Sequence, residues 1–323
     1  MPVEPRDSAR LLVAAGSSKA QHRRVADLPD LLQPGDVVVL NDTRVLPARL
    51  SLRRASGGSI EALVLEPHAD AGQRVWEVLL RPSRRIRVGE LLTGGTTGQF
   101  AATVVGEPGD GRWLLRFAGD ETVEQLLATY GEIPLPPYIT APLADSERYQ
   151  TVYARRAASA AAPTAGLHLT DGVLARLSNR GVGVLRLELV VGLGTFRPIT
   201  SERVEDHHMH AEHYRIPSET VTSIRGARSV VAVGTTVVRA LESFALSGQT
   251  EGRTDIFLRR GHRFSIVDRL LTNFHVPRSS LLVLLDAFMG PRWRELYRTA
   301  LTEQYRFLSL GDAMLVDRDP SLA

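Results

Sequence analysis

Pro34-Gly35-Asp36-Val37-Val38-Val39-Leu40-Asn41-Asp42-Thr43-Arg44 runs from a turn signal through four apolar residues to four polar ones. Val37–Leu40 reads as a buried strand, because a short apolar run rich in β-branched side chains has no polar face to turn to water. Polar residues just past the carboxyl end of such a strand stand where mixed sheets place ligand groups. Four in succession are costly to bury without partners. A tight exposed turn accounts for the same four residues, so the strand end alone does not decide between the two.

The texture changes on the far side of this stretch. From Ala48 to Phe117, short runs carrying β-branched or aromatic residues (Arg49–Arg53, Ser59–Leu65, Arg74–Leu80, Phe100–Val105 and Arg112–Phe117) alternate with Ser56-Gly57-Gly58, Gly94-Gly95 and Pro108-Gly109-Asp110-Gly111. Strands at that spacing predict a small barrel or sandwich. The region holds no paired acids or histidine cluster, which makes it a binding or scaffolding insert. Beyond it, Glu121–Tyr130 has helical spacing and Gly131–Ile139 is a proline-stiffened connector. Strand-to-helix units follow: an amphipathic helix over Asp171–Asn179, a strand of about nine residues from Gly183, Val230–Val233 leading to a helix over Val237–Leu246, and Leu270-Leu271 leading to one over Ser279–Phe288. The pattern predicts a mixed α/β enzyme with a β-rich insert and a site assembled from strand-end loops.

Composition narrows the chemistry. At 323 residues and 43% hydrophobic content the chain can bury a large core and divide into two domains. It has no cysteine, which excludes disulfides, a thiolate nucleophile, cysteine-ligated zinc and a cysteine-held iron–sulfur cluster. Lys19 is the sole lysine and lies in no phosphate-loop or Schiff-base motif. No apolar run is long enough to span a bilayer and no signal peptide precedes the first charges, so the expected location is the cytoplasm, with no membrane partner. The net charge is only +3, yet arginines cluster at Arg81-Pro82-Ser83-Arg84-Arg85-Ile86-Arg87 and Arg259-Arg260-Gly261-His262-Arg263. Such clusters suit either a solvated surface or contact with nucleic-acid phosphates.

Ala162-Pro163-Thr164-Ala165-Gly166-Leu167-His168-Leu169-Thr170 packs a proline, a glycine, two hydroxyls and an imidazole into nine positions ahead of the Asp171–Asn179 helix. Thr170 or Asp171 can cap that helix, and Gly166 permits a close approach that a side chain forbids. His168 is the group here that titrates near neutrality; taken alone, the stretch reads better as a buried turn whose histidine satisfies a backbone partner. Gly234-Thr235-Thr236 stands at a strand-to-helix junction, where free N–H groups bind an anion or a carboxylate. In Asp206-His207-His208-Met209-His210-Ala211-Glu212, the side chains of Asp206, His208, His210 and Glu212 face one side together if the segment is extended. A carboxylate beside an imidazole raises its basicity, as general acid–base work near pH 7 requires. No zinc spacing is present, and no metal is expected. Taken alone, that segment reads better as a polar surface turn.

Asn41–Arg49, Tyr149–Ala154, Ala162–Thr170, Gly192–Pro198, His208–Glu212, Gly234-Thr235-Thr236 with Arg239-Ala240-Leu241-Glu242-Ser243, Thr272–Pro277 and Gly311–Leu315 together resemble, in order, the S-adenosylmethionine:tRNA ribosyltransferase-isomerase family of queuosine biosynthesis. The resemblance implies an α/β mixed core with an inserted small β-barrel domain: residues 1–48 and 121–323 as the discontinuous catalytic core, and 49–120 as the barrel. It also implies the reaction. The ribosyl part of S-adenosylmethionine passes to 7-aminomethyl-7-deazaguanine at the wobble position of tRNA and is isomerised to the epoxycyclopentanediol of epoxyqueuosine, with release of adenine and methionine. S-adenosylmethionine is then a cosubstrate, the ribosyl donor, and no cofactor is permanently bound. The partner is the tRNA anticodon stem-loop carrying the modified base, and the protein is expected to be a monomer.

The sulfonium acidifies the adjacent 5′ hydrogens, so a neutral base, His168 or His208, starts the reaction, oriented by Asp206 or Glu212. On this reading Gly234, Thr235, Thr236, Gly192, Gly194 and Thr195 hold the donor's carboxylate or ribose. Asn41, Asp42, Thr43, Arg44, Thr164, Gly166, Asn273, Phe274 and His275 line the same cavity. Phe274 or Tyr149 stacks on the extruded base, while Arg81, Arg84, Arg85, Arg259 and Arg260 contact the tRNA backbone. The sequence departs from the family pattern at Val190, where a histidine is expected, at Leu169 for phenylalanine, at Val237 for serine, and at its start, where the family carries a further N-terminal segment. These departures leave two other readings open: a non-catalytic RNA-binding paralogue, and an S-adenosylmethionine-cleaving enzyme acting on a small molecule.

Overall fold

The computed structural model describes every residue except 1–2, 17–18, 69–71, 73, 110, 137, 140–144, 193–198, 200, 208 and 323. The chain divides into two compact units, one formed by residues 1–44 with 143–323 and the other by 45–142. The first strands are β1 (Arg10–Ala14), β2 (Gln21–Arg24), β3 (Asp36–Asn41) and β4 (Thr43–Val45). The second unit contains β5 (Arg49–Arg54), β6 (Ser59–Pro67), β7 (Val75–Arg81), β8 (Leu91–Gly94), β9 (Phe100–Gly109), β10 (Arg112–Phe117) and α1 (Val123–Tyr130). The chain continues through β11 (Arg156–Ser159), α2 (Asp171–Asn179), β12 (Gly183–Leu189), β13 (Glu212–Arg215), α3 (Ser218–Arg225), β14 (Ser229–Val233), α4 (Thr235–Ser247), β15 (Glu251–Thr254), β16 (Arg269–Asn273), α5 (Ser280–Met289), α6 (Arg292–Thr302) and β17 (Ala313–Asp317).

In the larger unit, nine strands form one mixed sheet in the order β15-β13-β12-β3-β14-β16-β17-β1-β2. Four neighbours in the middle, β12, β3, β14 and β16, are parallel, so their carboxyl ends, Leu189, Asn41, Val233 and Asn273, lie along one edge. Strands buried on both faces explain the uninterrupted apolar runs. Val37, Val39, Leu12, Ala232, Leu270 and Met314 enter one core with α4 and α5. Their chain neighbours Val38, Leu40, Leu11, Val231, Leu271 and Leu315 enter another, closed by Val173 and Leu177 of α2 and by Leu28. Alternation along each strand feeds two cores of opposite facing.

In the smaller unit, six antiparallel strands close into a barrel in the order β10-β7-β6-β5-β8-β9, sealed by pairing of β9 with β10. Leu50, Leu52, Ile60, Ala62, Val78, Leu92, Ala102, Trp113 and Leu115 fill it. Strand β8 has no counterpart among the sequence-predicted strands, because Gly94 reads as a turn. A Cβ at Gly94 would lie 2.0 Å from the Phe100 ring, so the glycine is what lets that ring cover the strand. Helix α1 carries a capping box, with Gln125 N donating to Thr122 Oγ1 at 3.2 Å and Thr122 N donating to Gln125 Oε1 at 2.9 Å. Its Val123, Leu126 and Leu127 belong to the barrel core. Helix α1 therefore packs with the barrel and not, as the sequence division places it, with the α/β core. The apolar stripe Val123, Leu126 and Leu127 finds its cover in the barrel core, one short connection from β10.

The expected alternation from Asp206 to Glu212 is also corrected. Val204–Asp206 is a 3₁₀ turn and the strand begins only at Glu212, so Asp206 and Glu212 do not share an extended face. Among the described residues no helix is long and apolar enough to cross a membrane.

Candidate active site

The site is built on the carboxyl edge of the parallel strands. At the end of β3, Asn41 is fully buried and stitches this strand to β12: its Nδ2 donates to the Leu189 carbonyl at 2.9 Å, and its Oδ1 accepts from the Leu189 N–H at 3.2 Å. The same Oδ1 accepts from the Thr43 hydroxyl at 3.1 Å. Ser159 Oγ donates to Thr43 Oγ1 at 2.9 Å and accepts from the Val191 N–H at 3.0 Å. These polar residues are costly to bury alone, and here they satisfy one another. Asn41 and Thr43 thus frame the edge rather than offer free groups to a ligand. Asp42 is buried between them in sequence; burial, with Glu188 adding to it, raises its carboxyl above the usual value. Arg44 is half-buried and paired with Glu147.

At the end of β14, Gly234 adopts φ +91° and opens α4 without a side-chain cap, a conformation that suits glycine. Ala165 packs over it: a Cβ on Gly234 would lie 3.5 Å from the Ala165 methyl. Thr235 and Thr236 begin the helix, and Asn41 Nδ2 lies 3.5 Å from Thr236 Oγ1. The uncapped N–H groups of this first turn are oriented as an anion or carboxylate requires.

The segment Thr164–His168 is a single 3₁₀ turn crossing the same edge. Gly166 is obligatory there, because a Cβ would stand 1.8 Å from the Tyr153 hydroxyl oxygen. His168 is 3% exposed, and its Nε2 lies 2.9 Å from Asn273 Oδ1, at the end of β16. Asn273 Nδ2 in turn donates to Thr164 Oγ1 at 2.9 Å. Burial lowers the imidazole to about 4; the Asn273 hydrogen bond works in the other direction but does not prevail. At neutral pH, therefore, His168 is an uncharged ring able to accept a proton. His275 is likewise pushed down to about 4 by burial, with ring Nε2 3.1 Å from Thr272 Oγ1 and its backbone N–H donating to Tyr297 Oη at 2.7 Å.

Glu212 and Arg239 form a buried pair beyond β12. Glu212 Oε1 also accepts from the Gly192 N–H at 2.9 Å. Arg239 also donates to the carbonyls of Thr254 at 3.2 Å and Ile256 at 3.3 Å. Glu212 therefore holds the exit of β12. One turn further along α4, the buried Glu242 accepts from the N–H groups of Ser265, Ile266 and Val267. Burial raises its pKa, but His262 and those N–H groups hold it below the usual value.

A model of the queuosine biosynthesis protein family matches residues 1–316. The chain belongs to the queuosine biosynthesis protein family. It is 49% identical over 317 residues to the S-adenosylmethionine:tRNA ribosyltransferase-isomerase of Rubrobacter xylanophilus, covering 98% of this chain and 92% of that relative. It is also 49% identical to the protein of the same name from Thermus thermophilus, covering 97% and 94%. Among solved structures it is similar to the S-adenosylmethionine tRNA ribosyltransferase of Thermotoga maritima. That likeness has a TM-score of 0.53 at 33% identity, covering 98% of this chain and 94% of that one.

Against this family background, His168, Thr164, Gly166, Asn273, Gly234, Thr235, Thr236 and Asn41 come together on one strand edge. His208, Gly194 and Thr195 lie outside the described residues. Asp206 is exposed on its turn. Phe274 is fully buried, with ring centroids 5.1 Å from Phe307 and 5.5 Å from Tyr305. Its ring serves an aromatic cluster, and Tyr149 is equally buried, so neither presents a face for a base to stack on. Among the described residues, no three histidine, aspartate or glutamate side chains are grouped as metal ligands. The departures Leu169 and Val237 are both fully buried and apolar, which places them in the two cores on either face of the sheet.

Sequence reasoning assigned no role to Arg239, Tyr153 or Ser159. The signal for Arg239 lies in Val237-Val238-Arg239-Ala240-Leu241-Glu242, where two charges interrupt an otherwise apolar helix and require buried partners.

Proposed function

We propose that this protein transfers the ribosyl moiety of S-adenosylmethionine to 7-aminomethyl-7-deazaguanine at the wobble position of a tRNA anticodon stem-loop and isomerises it to epoxyqueuosine, releasing adenine and methionine. The observation that carries this reading is identity approaching one half, along nearly the whole chain, with enzymes that bear that name. The same relationship weighs against the small-molecule and non-catalytic readings. The cytoplasm, where tRNA is modified, is the proposed location. A monomer is the proposed state, and no permanently bound cofactor is needed.

The strand-edge groups support distinct roles. His168, neutral and buried, takes a proton from the carbon next to the sulfonium, whose positive charge stabilises the electron pair left behind. The first turn of α4, from Gly234 to Thr236, receives the donor's carboxylate or ribose hydroxyls.

For the tRNA backbone the two arginine clusters differ. Arg259 and Arg260 are paired with Glu205 and Asp286. Arg81, at the end of β7, and Arg84 and Arg85, on the turn after it, are exposed, without a carboxylate partner among the described residues. That turn is the better phosphate ligand.

Incubating the protein with S-adenosylmethionine and tRNA bearing the aminomethyl base tests the reading. Adenine and methionine released only with tRNA support it. Release without tRNA would instead favour the small-molecule enzyme, and tRNA binding without release the non-catalytic paralogue.

A further inference from the structure

We propose that Asn273 is a positioning residue: its side-chain carbonyl holds His168 as the Nε2–H tautomer, so that Nδ1 is the atom that accepts the substrate proton. This rests on the assignment of His168 as the base. Imidazole has one lone pair in its neutral form, and which nitrogen bears it is decided by the partner of the other. Asn273 Oδ1, an acceptor without a hydrogen, lies 2.9 Å from Nε2, and an acceptor there requires the hydrogen to sit on Nε2.

The amide is itself held. Its Nδ2 donates to Thr164 Oγ1 at 2.9 Å, so both ends of Asn273 bind the two ends of the single turn Thr164–His168. Its backbone is held in register with Ala313 of β17. The turn and the strand end therefore fix the ring plane from two sides. No hydrogen bond from a described residue reaches Nδ1, although the ring is almost wholly buried.

When the substrate C–H bond breaks, its electron pair stays on carbon beside the sulfonium and its proton goes to Nδ1. The resulting imidazolium keeps its Nε2–H hydrogen bond to Asn273, which strengthens as the ring becomes charged. The charged groups that act on His168 are Arg148, on the turn before the loop, and Arg306 and Asp312, from the segment leading into β17. The two arginines oppose a positive ring and Asp312 favours it, so the low value of about 4 reflects burial first.

The test is nitrogen NMR on the whole protein labelled with ¹⁵N-histidine, with His168→Gln identifying the signal, alongside kinetics of Asn273→Asp and Asn273→Leu. The expected result is a protonated Nε2 and an unprotonated Nδ1 on His168. Asn273→Asp keeps the acceptor, so it should retain this tautomer and move the acid limb of kcat to higher pH. Asn273→Leu should mix the tautomers and lower kcat by about 10²- to 10⁴-fold with KM for S-adenosylmethionine little changed. A protonated Nδ1 in the parent protein, or an Asn273→Leu variant with unaltered tautomer and kcat, would overturn the proposal. Failure of the parent to release adenine would overturn the proposed reaction, and turnover retained by His168→Gln the assignment of His168 as base; both results are separable from the tautomer itself.

Discussion

At the scale of single residues the site depends on two close approaches. His168 is the group whose removal should stop chemistry and leave the fold. His168→Gln is expected to lower kcat by at least about 10²-fold, as for loss of a general base. Equilibrium binding of S-adenosylmethionine should persist, which filter or calorimetric titration would read. Gly166 makes the second approach. A methyl group in place of its hydrogen meets Tyr153 Oη at 1.8 Å, so Gly166→Ala must displace either the ring or the turn. Overpacking of this kind costs about 1–3 kcal/mol. Denaturant midpoints check it, and Tyr153→Phe in the same chain should recover part of the loss, because the atom struck is the hydroxyl oxygen. A double variant no more stable than Gly166→Ala alone would place the strain elsewhere.

Elements meet at the site through polar clamps, and these were the hardest features to read. The strand Val37–Leu40 and the helix Asp171–Asn179 were legible because apolar periodicity and a capping threonine are local signals. The barrel was legible from its spaced strands, although β8 was hidden by the glycines that shape it. His168 and Gly234-Thr235-Thr236 were legible as strand-end segments, the one a turn before α2 and the other the start of α4. What could not be read was who pairs with whom across long sequence separations: Asn273 with His168, or Arg239 with Glu212. Those partners are brought together by the strand order, and no local pattern encodes it. The Arg239–Glu212 pair permits a prediction at this scale. Removing one member leaves the other charge buried and alone, so Arg239→Met should destabilise the fold by about 3–5 kcal/mol, and pairing it with Glu212→Leu should restore much of that. The Gly192 N–H loses its acceptor in the double variant, so KM for S-adenosylmethionine should rise even where stability recovers. Chemical denaturation and initial-rate kinetics on the same preparations separate the two effects.

For the whole molecule, buried imidazoles and exposed guanidinium groups set opposite dependences on the medium. His168 and His275 each titrate at about 4 when folded, against 6.5 unfolded. Between those values the unfolded chain binds more protons, so stability rises with pH; the contribution is complete above pH 6.5 and is lost as pH falls through about 4. Asp312 and Glu242, held below the usual carboxylate value despite burial, act in the same direction at still lower pH. Thermal midpoints measured from pH 4 to 8 should therefore climb to a plateau, and His275→Leu should flatten the climb. Binding of tRNA should respond to salt instead. Each phosphate neutralised by an arginine releases condensed counterions, so affinity falls as salt rises, with a slope set by the number of contacts. Because Arg260 is already engaged by Asp286 at 2.5 Å while Arg84 and Arg85 stand free of carboxylates among the described residues, the two clusters should differ in that slope. Replacing Arg84 and Arg85 by alanine is expected to weaken tRNA binding and shrink the slope of log K against log salt by about one per lost phosphate contact. Replacing Arg260 should leave the slope unchanged. Equal slopes for the two variants would mean that the turn after β7 is a solvated surface and that the phosphates are held by other residues.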